Sequence, residues 1–315
     1  MDPATLPPKP HLKILVIGPT GTTGRAVVSE LLDRGHTVTG LSRSPEKWGT
    51  HPAYHPLRGS QMGPVAELVQ AIEGHDVVIS AFAPSHNSGP ETYCGLVEGA
   101  WRLKHAVQSS ISKPYVVYVG GAASLVDPET GKTTLDQPHE TWRRYLIDGP
   151  VEHLGWLHKI IGVRMLTWYY YARLCARSSR LLGWILHPYK TLFETKFVEK
   201  ASAPDNLTMP HACRAALYFF EHDHTFEWSF LSPPWFYREG PAAKLYGTVK
   251  DKHPIDSKGR YLGINNGDLA AAIADEAEAR SKTFVHWSCF ARQEETDYYY
   301  DNYRDVKFER FEESE

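Results

Sequence analysis

Residues Ile14 to Lys47 read ILVIGPTGTTGRAVVSELLDRGHTVTGLSRSPEK, and the order of parts within this stretch decides the fold. Leu12 to Ile17 is short, mostly apolar and β-branched, the composition of a strand buried on both faces. Gly18, Gly21 and Gly24 follow in G-x-x-G-x-x-G spacing. Ala26, Val27, Leu31 and Leu32 then recur at helical intervals until Gly35, which suits a helix C-cap. A second apolar run, Thr37 to Leu41, comes next. Strand, glycine turn, helix and strand within about thirty residues form the context in which such a triplet cradles a dinucleotide. One glycine permits the tight turn, one lets backbone approach a pyrophosphate, and one lets helix and strand pack closely. The free N–H groups of the helix start face the phosphates, and Thr20, Thr22 and Thr23 add hydroxyl donors.

The end of the second strand separates the two nicotinamide dinucleotides. NAD sites place a carboxylate there for the ribose hydroxyls, whereas NADP sites offer a cation to the 2′-phosphate. Here the chain reads Ser42-Arg43-Ser44-Pro45-Glu46-Lys47. A guanidinium flanked by hydroxyls matches a phosphate, and Glu46 is expected to face solvent. NADP(H) is therefore expected in preference to NAD(H), with Ser42 and Arg43 as contacts.

Composition narrows the remaining classes. The 315 residues, 42% hydrophobic and 23% charged, are those of an ordinary globular protein able to bury a sizeable core. A net charge of −3 argues against nucleic acid, which needs a concentrated basic footprint. Cys94, Cys175, Cys213 and Cys289 form no CxxC pair, so neither a disulfide framework nor a metal site is expected. The Pro-rich start lacks the apolar core of a secretory signal, and a cytoplasmic protein is expected.

Working outward, Asp76 to Ser80 reads as a further strand with Ala81-Phe82-Ala83 at its carboxyl end. Tyr93 to Ser109 reads as a helix, and Tyr115 to Val119 as a strand ending in Gly120-Gly121-Ala122-Ala123-Ser124. The expectation is a single doubly wound, Rossmann-like α/β domain over 12–290, with a short arm at 1–11 and an acidic, Tyr-rich tail at 291–315. Ligands of such sheets sit beyond the carboxyl ends of the strands. Ala81, Phe82, Gly120 and Gly121 thus leave room for a nicotinamide, and Ser124 is the candidate to point a hydroxyl at it.

These stretches, with "FEWSFLSPPWF" and "GDLAAAIADEAE" further on, resemble the atypical short-chain dehydrogenase/reductase superfamily, in particular its NAD(P)H-binding, NmrA-like branch. That branch includes flavin and biliverdin reductases and cofactor-binding redox sensors. The resemblance covers roughly 12–136 and 206–287, and it implies that Ser232 and Pro233 lie near the nicotinamide. One departure stands out. Where the family often has Gly-Asp near the adenine, this chain has Gly59-Ser60.

Many members of the wider superfamily use a helical Tyr-x-x-x-Lys pair as acid. The literal match here, Tyr246 and Lys250, sits in a stretch that reads as strand and turn, beyond the nicotinamide region. Hydride transfer is the cofactor's own chemistry, and a conjugated acceptor can take its proton from water. The expected function is an NADPH-dependent reductase of a small quinone, flavin or enone-type acceptor. The alternative is a non-catalytic NADP-binding redox sensor.

Between about 150 and 200 the resemblance lapses. The stretch from Val151 to Phe197 has no acid between Glu152 and Glu194, and sets arginines among Trp168, Tyr169, Tyr170, Tyr171 and Trp184. Three readings stay open: an aromatic lid over the cofactor cleft, a basic segment lying on a membrane surface, or retained non-coding sequence.

Overall fold

The computed structural model describes residues 11–84, 90–151, 153–155, 157 and 164–291. The expected arm before His11 and tail after Ala291 lie outside them.

The first half alternates strand and helix: β1 (Lys13–Ile17), α1 (Thr22–Asp33), β2 (Thr37–Ser42), β3 (Tyr54–Arg58), α2 (Val65–Ile72), β4 (Val77–Ser80), α3 (Pro90–Ser109) and β5 (Tyr115–Val119). Period-two burial explains the strands. Ile14, Val16, Val77 and Ile79 enter a core with Val27 and Leu31 of α1, while Leu15, Ile17 and Val78 enter a second core with Leu68, Leu103 and Val107. Both faces are covered, so the strands read as unbroken apolar runs. Gly35, at φ +85°, ends α1 in the left-handed conformation that glycine adopts without a steric penalty.

Next come α4 (Pro138–Trp142), which runs into one π-helical turn (Arg143–Ile147), then α5 (Arg164–Ser178), α6 (Arg180–Ala201) and α7 (Thr208–Glu221). The chain then returns to the sheet through β6 (Trp228–Leu231), β7 (Phe236–Arg238), β8 (Tyr246–Lys250), β9 (Gly263–Asn265), α8 (Asn266–Ala279) and β10 (Val285–Ala291).

Eight strands form one sheet in the order β3-β2-β1-β4-β5-β6-β10-β8. All pairs are parallel except β10 with β8. The doubly wound α/β fold expected from the sequence is the fold observed. Some bounds shift: β4 starts at Val77, and Asp76 before it bonds to Lys13 through both its N–H and its carboxylate, which accepts from the Lys13 N–H at 2.8 Å. β7 and β9 pair in parallel as a small ribbon that the sequence reading did not foresee.

The segment around 150–200 contributes a helical hairpin. α5 and α6 pack on each other and on the π-helical turn through Leu146, Leu154, Leu157, Leu166 and Tyr169, with Phe193 and Phe197 alongside. Ser179 caps α6, its side chain accepting from the Leu182 N–H.

Candidate functional site

The turn after β1 is built by close approach. Gly18 has φ +83°, and a Cβ there would stand 2.9 Å from the Ala81 carbonyl oxygen. A Cβ on Gly24 would lie 1.9 Å from the Gly18 oxygen, so no larger residue fits. The Gly18 N–H donates to Leu41 and the Gly21 N–H to Gly18, which ties the turn to both strands. α1 begins at Gly21 with no side-chain cap and no acid in its first turn. Its leading N–H groups are thus left for an anionic ligand. Of the threonines, Thr22 is exposed and Thr20 half-buried, while the Thr23 hydroxyl is shared with the Tyr237 hydroxyl at 2.8 Å.

At the end of β2 the Ser42 hydroxyl is buried with no hydrogen-bond partner. Arg43 beside it is exposed. Glu46 faces solvent, as expected, 3.8 Å from Arg58. Arg58 itself was missed: it ends β3 and is the register partner of Ser42. A second cation therefore stands at the mouth of this corner. Next to it, Leu41, Leu57, Gly59, Ser60 and Leu68 line a cleft of about 270 Å³.

Beyond the carboxyl ends of β1, β4, β5 and β6 lies a cavity of about 400 Å³. Thr23, Ala81, Phe82, Gly120, Gly121 and Pro233, all but Thr23 and Pro233 chosen from strand-end position, come together on its wall. Trp142, Met209, Cys213, Trp235 and Tyr237 complete it, and no residue lining it is charged. Burial pushes the Cys213 thiol up to about 12, so it is a neutral thiol at ordinary pH. Burial also raises Tyr237, which stays a protonated phenol. No local pattern marks Trp142, Trp235 or Tyr237 as wall residues; an aromatic beside Pro233-Pro234 was the only available signal.

Two expected contacts are not on that wall. Ser124 is fully buried, and its hydroxyl donates to the Gly121 carbonyl at 2.7 Å. The same oxygen lies 2.6 Å from the Ser232 hydroxyl, and Ser232 lies 2.9 Å from Nε2 of His286. His286 Nδ1 faces Asp251 at 3.3 Å. Ser124, Ser232 and His286 are buried behind Gly120 and Gly121, while Asp251 is 46% exposed, so the Ser124 hydroxyl is turned into this hydrogen-bonded chain and not into the cavity. Ser124 therefore does not line the cavity at which its hydroxyl was expected to point. Tyr246 and Lys250 lie on β8, where four residues span about 13 Å instead of one helical turn. The Tyr246 hydroxyl donates to Asp275, away from the cavity.

Of the three readings of the 150–200 stretch, the lid does not match the geometry: among the described residues none of α5 or α6 lines the cavity, whose aromatic wall is Phe82, Tyr118, Trp142, Trp235 and Tyr237.

Residues 18–148 match the NAD(P)H-binding family model. This segment is an NAD(P)H-binding domain. The glycine stretch read as a dinucleotide turn lies within this match. It is 32% identical over 113 residues to the photosystem II assembly factor Ycf39 of Synechocystis sp., an alignment spanning 34% of this chain and 33% of that protein. The chain thus spans about a third of the curated relative it matches. In solved structures the whole architecture recurs. A protein of Bacteroides thetaiotaomicron, provisionally named an epimerase, has 21% identity and a TM-score of 0.61, covering 91% of this chain and 100% of that one. A Streptococcus pneumoniae protein, provisionally named an NADH-flavin reductase, has 20% identity and a TM-score of 0.59, covering 89% and 100%. At such identity the NAD(P)H-binding domain shares a fold with them. Among the described residues no helix is long and apolar enough to cross a membrane, and no cluster of ligating side chains suits a metal.

Proposed function

We propose that this protein is an NADPH-dependent reductase of a small, uncharged, conjugated acceptor such as a quinone or enone. The observation that carries the reading is the cavity: it reaches Thr23 in the first turn of α1, is walled by aromatic side chains and carries no charged one. Such a wall favours a flat apolar ring over a phosphate- or carboxylate-bearing substrate. The Gly18–Gly24 turn, the uncapped start of α1 and the unpartnered Ser42 hydroxyl fit a dinucleotide, and Arg43 with Arg58 fits a 2′-phosphate.

The bound dinucleotide supplies the hydride. The protein's part is to hold the two rings in register, with Phe82, Trp142 and Trp235 enclosing them and excluding water. A conjugated acceptor draws its proton from water, in keeping with a wall whose two phenols, Tyr118 and Tyr237, are both held above their ordinary range by burial.

A non-catalytic redox sensor is the second reading, favoured by the sealed Ser124 hydroxyl and the neutral Cys213. Purified protein incubated with NADPH and a panel of quinones, enones and flavins separates the two by absorbance. NADPH oxidation above background with an uncharged acceptor supports the reductase. Tight NADPH binding with no oxidation across the panel supports the sensor.

A further inference from the structure

The hairpin of α5 and α6 has its polarity reversed. On α6, Leu181, Ile185, Tyr189 and Leu192 recur at three- to four-residue intervals, and all are exposed, Leu181 by 67%. Trp184 beside them is 77% exposed. The opposite side of α6, with Phe193 and Phe197, is already committed to the hairpin's own core. On α5, Trp168, Tyr171 and Leu174 form a second exposed apolar row at the same spacing. Scattered apolar residues on a surface are ordinary; two helical stripes of them are an unburied face.

Along this face cations predominate, and the acids are confined to the last two turns of α6, where exposed Glu199 pairs with Lys196. From Arg164 to Phe193 the chain has no Asp or Glu, while Arg164, Arg177 and Arg180 are exposed at the ends of the two helices. The acid that ends the run, Glu194, is bonded to Lys190 and Tyr169. Tryptophan and tyrosine have an apolar body with a polar tip, which suits the boundary between water and acyl chains. A protein partner would be expected to present acids of its own within an apolar patch of definite shape. A bilayer of anionic lipid asks only for an apolar stripe and nearby cations, and both are present.

We propose that the α5–α6 hairpin docks on the surface of an anionic phospholipid bilayer, with Trp184 and its row entering the headgroup boundary. Neither helix crosses the bilayer. The docking is independent of the reading of the cofactor site.

The test uses the full chain, co-sedimented with vesicles of phosphatidylcholine alone or mixed with phosphatidylserine, at low and high salt. The expected result is retention on the mixed vesicles, weakened by salt and small on phosphatidylcholine alone. Trp184→Ser with Ile185→Ser should abolish retention, and Arg164→Gln with Arg180→Gln should lower affinity about fivefold per charge removed. NADPH titration of each variant checks that it is folded, since none of the four positions lies near the glycine turn. Failure of the folded wild-type chain to bind mixed vesicles overturns the proposal, as does equal binding by the Trp184/Ile185 variant. A wild-type dimer that this variant converts to monomer also overturns it, by showing that a second copy covers the face.

Discussion

A methyl group on Gly24 would stand 1.9 Å from the carbonyl oxygen of Gly18. That distance is far inside van der Waals contact, and both atoms belong to backbone that the sheet holds. Gly24→Ala should therefore force the turn open. Binding of either dinucleotide is expected to fall by about a hundredfold or more, at a stability cost of roughly 1–3 kcal/mol. Calorimetric titration and denaturant unfolding read the two effects, and wild-type affinity in this variant would contradict the close packing.

Arg43 follows Ser42 at the end of β2, and Arg58 at the end of β3 is the register partner of Ser42. If they hold a 2′-phosphate, Arg43→Ala should weaken NADPH by about 1.5–3 kcal/mol, tenfold or more, and leave NADH nearly unchanged. Arg58→Ala should act in the same direction more weakly, because its side chain is 77% exposed and lies near Glu46. Equal losses for both dinucleotides would show that neither arginine reads the phosphate.

Ser124 and Ser232 share a buried hydrogen bond behind the cavity wall. Ser232→Ala leaves Ser124 and His286 each short of a partner, so a loss of about 1–3 kcal/mol in unfolding free energy is expected. Single-turnover hydride transfer should change by less than about threefold. A fall of a hundredfold or more, the scale of a lost proton donor, would instead place one of these hydroxyls at the reacting atoms.

His153 and His253 are fully buried, and burial lowers both to about 3 from an ordinary value of 6.5. The folded state then holds fewer protons than the unfolded state between those values. Stability is full above pH 6.5 and declines as pH falls towards 3, by up to roughly 1.4 kcal/mol per pH unit for each histidine. Most carboxylates titrate lower. His75, also lowered by burial, acts in the same direction, and buried histidines dominate the interval from 6.5 to about 4.5. Melting temperatures across it should drop for the wild type and drop less for His253→Phe. Parallel curves for the two proteins would show that His253 does not carry the dependence.

Sequence alone revealed β1, β2, β4 and β5 because buried strands write themselves as apolar, β-branched runs, and revealed the turn because only glycine meets its distances. In contrast β3, YHPLR and largely exposed, left no such run. The three-residue strands β7 and β9 left no such trace, since a pair that short has room for neither alternation nor a run. The cavity wall was legible where it is made of strand ends, at Ala81, Phe82, Gly120 and Gly121. It was not legible at Trp142 or Tyr237, whose place depends on how distant segments fold back. Ser124 misled for a related reason: its position after β5 is as expected, but His286 on β10 and Ser232 after β6 draw the hydroxyl inward, and neither pairing has a local signature.

The glycine turn near the start of the chain rests on its far end. Tyr237, 214 positions away, bonds the Thr23 hydroxyl, and Asn266, 244 positions away, donates to the Thr22 carbonyl. The apolar side of α1 packs against Leu269 and Ile273 of α8. A growing chain that has already released all of residues 18–148 still lacks these supports. Its first strands can pair, but α1 has nothing to cover it until the last helix emerges. Contacts this distant in sequence form late and slowly. Folding of the dinucleotide turn is thus a closing event of synthesis, and a chain cut after residue 148 should have the motif without the affinity.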